Sequence, residues 1–120
     1  MLFRSKPVGW VGASHKDVRS FPPSVKSEIG HALYAAQKGE TDPAAKPLTG
    51  FGGRGVLKIV TDHRGDTWRS VYTVRLEGAI YVLHAFQKKS KKGLATPKRE
   101  LDLIRQRLAD AERDHRGRQN

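Results

Sequence analysis

The sequence predicts an α+β fold, with an antiparallel sheet of about four strands packed against an N-terminal helical hairpin and followed by a C-terminal helix. Three observations predict it. Val25, Ile29, Leu33 and Ala36 recur at helical spacing, with Ala32 beside them. From Val56 to Phe86 the pattern changes to strand-like runs broken by short glycine-containing turns. Helical spacing then returns in Leu101, Ile104, Leu108 and Ala111. At 120 residues the chain has the size of one domain, 1-120, with a modest core. Its polar tail, 114-120, is a candidate for disorder.

The apolar piece from Val8 to Val11 reads as an edge strand. In "ASHKDVRSF", Ser14 is placed as an N-cap with Asp17 three residues on, a capping-box-like start to a short helix. "FPPSVKSEIGHALYAAQKG" restarts helix after a proline pair, since proline is tolerated in a first turn, and Gly39 is a good stop. The stretch from Glu40 to Gly55 is rich in Pro, Gly, Asp and Thr and reads as a long ordered loop; "GFGGRG" precedes a strand, so it is turn chemistry rather than a phosphate cradle. Three strands follow: "VLKIVTD" and "TWRSVYTVRL" joined by "HRGD", then "AIYVLHAF" after the turn Glu77-Gly78. Thr96 as N-cap and Pro97 at the first helical position open the last helix.

Lysine and arginine number 23 against 12 acidic residues, a formal net charge of +11. So large a surplus points to a polyanionic partner, with nucleic acid or the ribosome first and an anionic membrane surface second. No apolar run approaches the ~20 residues of a spanning helix, and the N-terminus lacks a signal-peptide core, so a cytoplasmic protein without a membrane partner is expected. The absence of cysteine excludes a disulfide framework, a thiolate zinc site and a cysteine nucleophile. The five histidines show neither HExxH nor paired ligand spacing, so neither metal nor cofactor is expected.

A two-residue turn at Glu77-Gly78 pairs Leu76 with Ala79, hence Val71 with His84 and Arg69 with Phe86. A four-residue "HRGD" loop pairs Thr61 with Trp68 and Lys58 with Val71. Lys58, Arg69 and His84 then share one open face, while Leu57, Ile59, Tyr72, Val74, Tyr81 and Leu83 share the other as the core face. A lone strand histidine is more often structural, a lysine run is usually a solvated loop, and Arg69 alone could be half of an ion pair. Their convergence is the informative feature. Arg69 can clamp a phosphate, Lys58 adds a point charge, and His84 suits proton transfer at neutral pH.

The string "WRSVYTV...IYVLHAFQKKSKK...TPKRELDLI" resembles the RelE/ParE superfamily of bacterial toxins, closest to its phage-derived, HigB-like branch, over roughly Val18 to Leu108. The resemblance implies a RelE-like fold and the toxin of a type II toxin-antitoxin system. HigB- and RelE-like members cut mRNA on the translating ribosome, without metal, by 2′-OH attack on the scissile phosphate; ParE-like members inhibit DNA gyrase. A non-catalytic member that binds nucleic acid or an antitoxin is a third possibility. Carried over by position, Arg69 matches the strand arginine aimed at the phosphate, and Lys58 matches a basic residue on the preceding strand. His84 is then the candidate acid or base, with Lys88 auxiliary. Lys89, Lys91 and Lys92, with Arg64 and His63, are candidates for holding RNA backbone. The chain lacks the tyrosine that RelE uses beyond the basic stretch and the acidic-aromatic-histidine cluster of HigB, which leaves His84 and His63 both open for proton transfer. The implied partners are the ribosome with its mRNA and a cognate antitoxin with a helix-turn-helix fold.

Overall fold

The computed structural model describes residues 5–52, 55–88 and 96–119. Among these, five strands and three helices follow in the order β1 (Val8–Trp10), α1 (Ser14–Arg19), α2 (Pro23–Gln37), β2 (Lys46–Pro47), β3 (Val56–His63), β4 (Asp66–Thr73), β5 (Ile80–Lys88) and α3 (Lys98–Gln119). The α+β class holds, but the sheet is mixed and five-stranded, in the order β1-β5-β4-β3-β2. β1 is an edge strand, as expected, and runs parallel to β5; β2 is a two-residue edge strand within the long loop.

The β3-β4 turn is tighter than four residues. His63 pairs with Asp66, so Arg64 and Gly65 alone make the bend, both at positive φ (52° and 85°), the backbone twist that a two-residue hairpin favours. The register is unchanged by this, and Lys58 opposes Val71 and Thr61 opposes Trp68 as predicted. At the other turn Gly78 has φ 78° and the Ala79 N–H donates to the Leu76 carbonyl at 3.1 Å. Arg69 opposes Phe86 and Val71 opposes His84, but Tyr72 then opposes Val82 because β5 carries one extra residue at Leu83.

That bulge changes which side chains form which core. Ile59, Tyr72, Val82 and Ala85 pack under α1 and α2 with Val25, Ile29 and Leu33. Tyr81 and Leu83 instead join Val56 and Val71 beneath Ile104, Leu108 and Ala111 of α3. An extra residue reverses the side-chain alternation beyond it, so Tyr81 and Leu83 leave the face to which simple alternation assigns them. Both sheet faces are therefore covered. The face carrying Lys58, Arg69 and His84 is not open, because α3 crosses part of it.

Two helix starts also differ from the sequence pattern. Ser14 does not cap α1: its hydroxyl, fully buried, donates to the Val82 carbonyl at 3.2 Å and ties the helix to β5. α3 begins at Lys98, where the Pro97 carbonyl accepts the Leu101 N–H. The tail is helical as far as Gln119, braced by the Arg118–Asp114 pair at 2.8 Å and by the Tyr81 hydroxyl donating to Asp114 at 2.8 Å. α2 behaves as expected, with Pro23 in its first turn and Gly39 at φ 82° just past its end.

Candidate functional site

On the α3 side of the sheet each central strand changes character along its length. β4 passes from Val71 to Arg69, β3 from Val56 to Lys58 and then Val60, and β5 from Leu83 and His84 to Phe86 and Lys88. Apolar residues occupy the part under α3. Cations begin where its footprint ends.

Arg69 lies at the centre of this region, only 3 % exposed, and its Nη1 donates to the Thr96 hydroxyl at 2.9 Å. Burial lowers its pKa, although a guanidinium stays charged at neutral pH. Lys88, 7 % exposed, has its pKa lowered by burial and then by the positive charges of Arg69 and Lys58. Three cations therefore share one patch, near the N-terminal end of α3, whose helix dipole adds partial positive charge.

His84 stands beside the patch rather than in it. Its ring is 6 % exposed and stacked on Phe86 with centroids 4.9 Å apart. Nε2 is 3.3 Å from Glu100 Oε2, and Nδ1 is 3.2 Å from Nη1 of Arg107, which also donates to the Leu83 carbonyl at 3.0 Å. Its pKa is lowered, with burial the largest cause, Glu100 and Asp17 opposing and Arg107 reinforcing. Both ring nitrogens are thus engaged by α3.

His63 and Arg64 do not join this group. His63 lies on the α2 side, 2.9 Å from the Ser24 hydroxyl, and Arg64 is at the exposed hairpin tip. Lys89, Lys91 and Lys92 lie outside the described residues. Thr96, Glu100 and Arg107 were missed in the sequence. A signal existed for two of them, because Glu100 and Arg107 fall at helical spacing with Ile104 and Ala111 and so interrupt an apolar stripe with charge. Among the described residues no group of three or more His, Asp or Glu is placed to hold a metal ion, and no helix is long and apolar enough to cross a membrane.

Fold and site together define a small α+β protein with a buried cationic patch on a sheet face half covered by its last helix. The chain belongs to the family described as phage-derived Gp49-like proteins, whose family model matches residues 16–109. No curated protein matches it. Among solved structures it is similar to a chain of the toxin-antitoxin complex RelBE2 from Mycobacterium tuberculosis, with 17% identity and a TM-score of 0.46, over 74% of this chain and 98% of that one.

Proposed function

We propose that the protein is the toxin of a type II toxin-antitoxin system, of the HigB-like branch, and an endoribonuclease that cuts mRNA on the ribosome. The observation that carries this reading is the strand register, which sets Arg69 of β4 between Lys58 of β3 and Lys88 of β5 on one face of the sheet, where their like charges repel one another. Such mutual repulsion is relieved when a phosphate enters, so the patch is preorganised for an anion. The family resemblance in "WRSVY" and "QKKSKK" supports the same chemistry.

In this reaction a base takes the proton of a ribose 2′-OH, the oxygen attacks the adjacent phosphorus, and an acid protonates the departing 5′-oxygen, leaving a 2′,3′-cyclic phosphate and a 5′-hydroxyl. Arg69 clamps the phosphate through its planar fork, and Lys58 offsets the growing charge. For proton transfer the geometry favours Lys88 over His84, whose ring nitrogens are held by Glu100 and Arg107. A lysine with a depressed pKa exchanges protons nearer neutral pH than a solvated one. The partners are then the ribosome, which presents the mRNA backbone for in-line attack, and a neighbouring antitoxin that restrains the toxin.

The test is induction in a bacterial host with translation, mRNA integrity and an SOS reporter followed together. Arrest of translation with cut mRNA and a silent reporter supports the proposal. A strong SOS response over intact mRNA would make the protein a gyrase inhibitor and overturn it.

A further inference from the structure

We infer that Glu100 and Arg107 are positioning residues that act through His84: by fixing its tautomer they fasten α3 to the bulge of β5, and so hold Thr96 against Arg69. The hydrogens decide the tautomer. Arg107 is donor-only, and its Nη1 directs one hydrogen to the Leu83 carbonyl at 3.0 Å and one to His84 Nδ1 at 3.2 Å. Nδ1 must therefore present its lone pair, which places the ring proton on Nε2, facing Glu100 Oε2 at 3.3 Å. The other neutral tautomer would set N–H against N–H at Arg107 and a lone pair against the Glu100 carboxylate. The imidazolium would keep Glu100 and lose Arg107. A single protonation state satisfies both neighbours.

The bulge is what makes this joint possible, because it turns Leu83 and His84 together toward α3 instead of alternating them across the sheet. Leu83 packs against the helix and offers its carbonyl to Arg107, while His84 bridges Glu100 and Arg107, about two turns apart on the same helix. Thr96 lies four residues before Glu100, and its hydroxyl accepts from Arg69 Nη1 at 2.9 Å. Sliding α3 along the sheet would carry Thr96 away from Arg69 Nη1 and shift where the Arg69 fork is held. Misplacement of a phosphate clamp by about 1 Å costs on the order of 10²-fold in rate. This effect on rate rests on the ribonuclease reading; the tautomer and the position of Arg69 do not.

The test uses the full chain with 15N-labelled histidine and arginine. In wild type at pH 7 the His84 nitrogens should show the Nε2–H tautomer, with conversion to imidazolium centred below about 6.5; the charged groups facing the ring are Glu100 and Arg107 from α3 and Asp17 from α1. Glu100→Gln keeps an acceptor for Nε2–H and should retain both the tautomer and the Arg69 Nε–H resonance. Glu100→Leu and Arg107→Met each leave one neighbour that still selects Nε2–H, so the neutral ring should keep that tautomer, but each cuts one of the two ties to α3 and should move the Arg69 resonance while the backbone spectrum stays dispersed. On ribosome-bound mRNA the two disruptive variants should lose about tenfold or more in kcat with KM little changed, and Glu100→Gln should stay within about threefold of wild type. An Nδ1–H tautomer, an imidazolium at pH 7, or an unmoved Arg69 resonance in Arg107→Met would overturn the inference whatever the protein cleaves. If either disruptive variant fails to fold, the wild-type tautomer and Glu100→Gln still decide it. If wild type cuts no mRNA while the resonances behave as expected, the ribonuclease reading falls and the positioning role stands.

Discussion

Replacing Arg69 by methionine should separate function from stability. The side chain is 3 % exposed, donates to Thr96 at 2.9 Å and shares its patch with Lys58 and Lys88. Loss of a hydrogen bond from a charged donor costs about 1.5–3 kcal/mol. Against this, the desolvation penalty of keeping a charge buried, effectively several kcal/mol per ion, disappears with the guanidinium. The repulsion that lowers the Lys88 pKa falls as well, so that pKa should rise. The opposing effects nearly cancel, and the variant should lie within about 1–2 kcal/mol of wild type by urea unfolding. On the proposed ribonuclease reading activity has no such compensation, since removing a donor aimed at developing phosphate charge costs on the order of 10²–10³-fold. Arg69→Lys keeps the charge but loses the fork, so it should fall between the two. Single-turnover cleavage of a reporter mRNA on purified ribosomes, run beside the unfolding curves, measures both quantities. Cleavage within about threefold of wild type would refute the clamp. A loss of more than about 3 kcal/mol in stability would instead mark Arg69 as structural.

Other outcomes follow from single positions. Because His84 is held neutral, its folded pKa lies below the unfolded value of about 6.5, so the unfolded chain takes up its proton first. Stability should fall as pH drops below about 6.5 and level off below the folded pKa, and a urea midpoint that stays flat from about pH 7.5 to 5 would contradict this. Gly9→Ala should destabilise by about 1–3 kcal/mol, since its Cβ would lie 2.8 Å from Tyr81 Cε1 and Asp114 anchors that ring through its hydroxyl. Gly30→Ala is the counterpart, mid-helix with nothing within 4 Å of the new Cβ, and should stabilise by about 0.5–1 kcal/mol, both glycine variants being read by urea unfolding. Tyr72→Phe removes a buried hydroxyl that has no hydrogen-bond partner among the described residues, so stability should hold or rise by about 1 kcal/mol. Wild type should show one tyrosine ionising near 12 that the variant lacks.

Much of this arrangement was legible in the sequence because hairpins are local. Two short turns fix the pairing of Lys58 with Val71 and of Val71 with His84, and the structure keeps both pairs. The α3 stripe was legible for the same reason, its spacing being a property of one segment. The β1-β5 pairing was not, because it joins Val8 to Ile80 in parallel across most of the chain and no turn announces it. Nor was the bulge at Leu83, since β-branched and aromatic residues surround it and nothing in "IYVLHAF" marks an extra residue. That one residue moved Tyr81 and Leu83 to the α3 face, beside His84, which keeps its predicted place opposite Val71. Ser14 has the composition of a cap, yet its tertiary bond to Val82 prevails over the local one.

The position of the cationic patch has a common cause in all three strands. On one face of the sheet, Val56, Val71 and Leu83 lie under Ile104 and Leu108, where a charge would be stranded among apolar atoms. Two residues further along β3 and β4 come Lys58 and Arg69, and beyond His84 on β5 comes Lys88. Helix α3 thus divides the face into a part where packing selects apolar side chains and a part where it does not. Val60, 38 % exposed opposite Arg69, shows that the second part is accessible at its β3 edge. The joint made by His84, Glu100 and Arg107 lies on the boundary, which is why a buried histidine and a buried arginine occur so close together in this fold. The same helix that completes the core therefore also limits how far Arg69 can move, and stability of the α3 contact and precision of the site are set by one set of side chains.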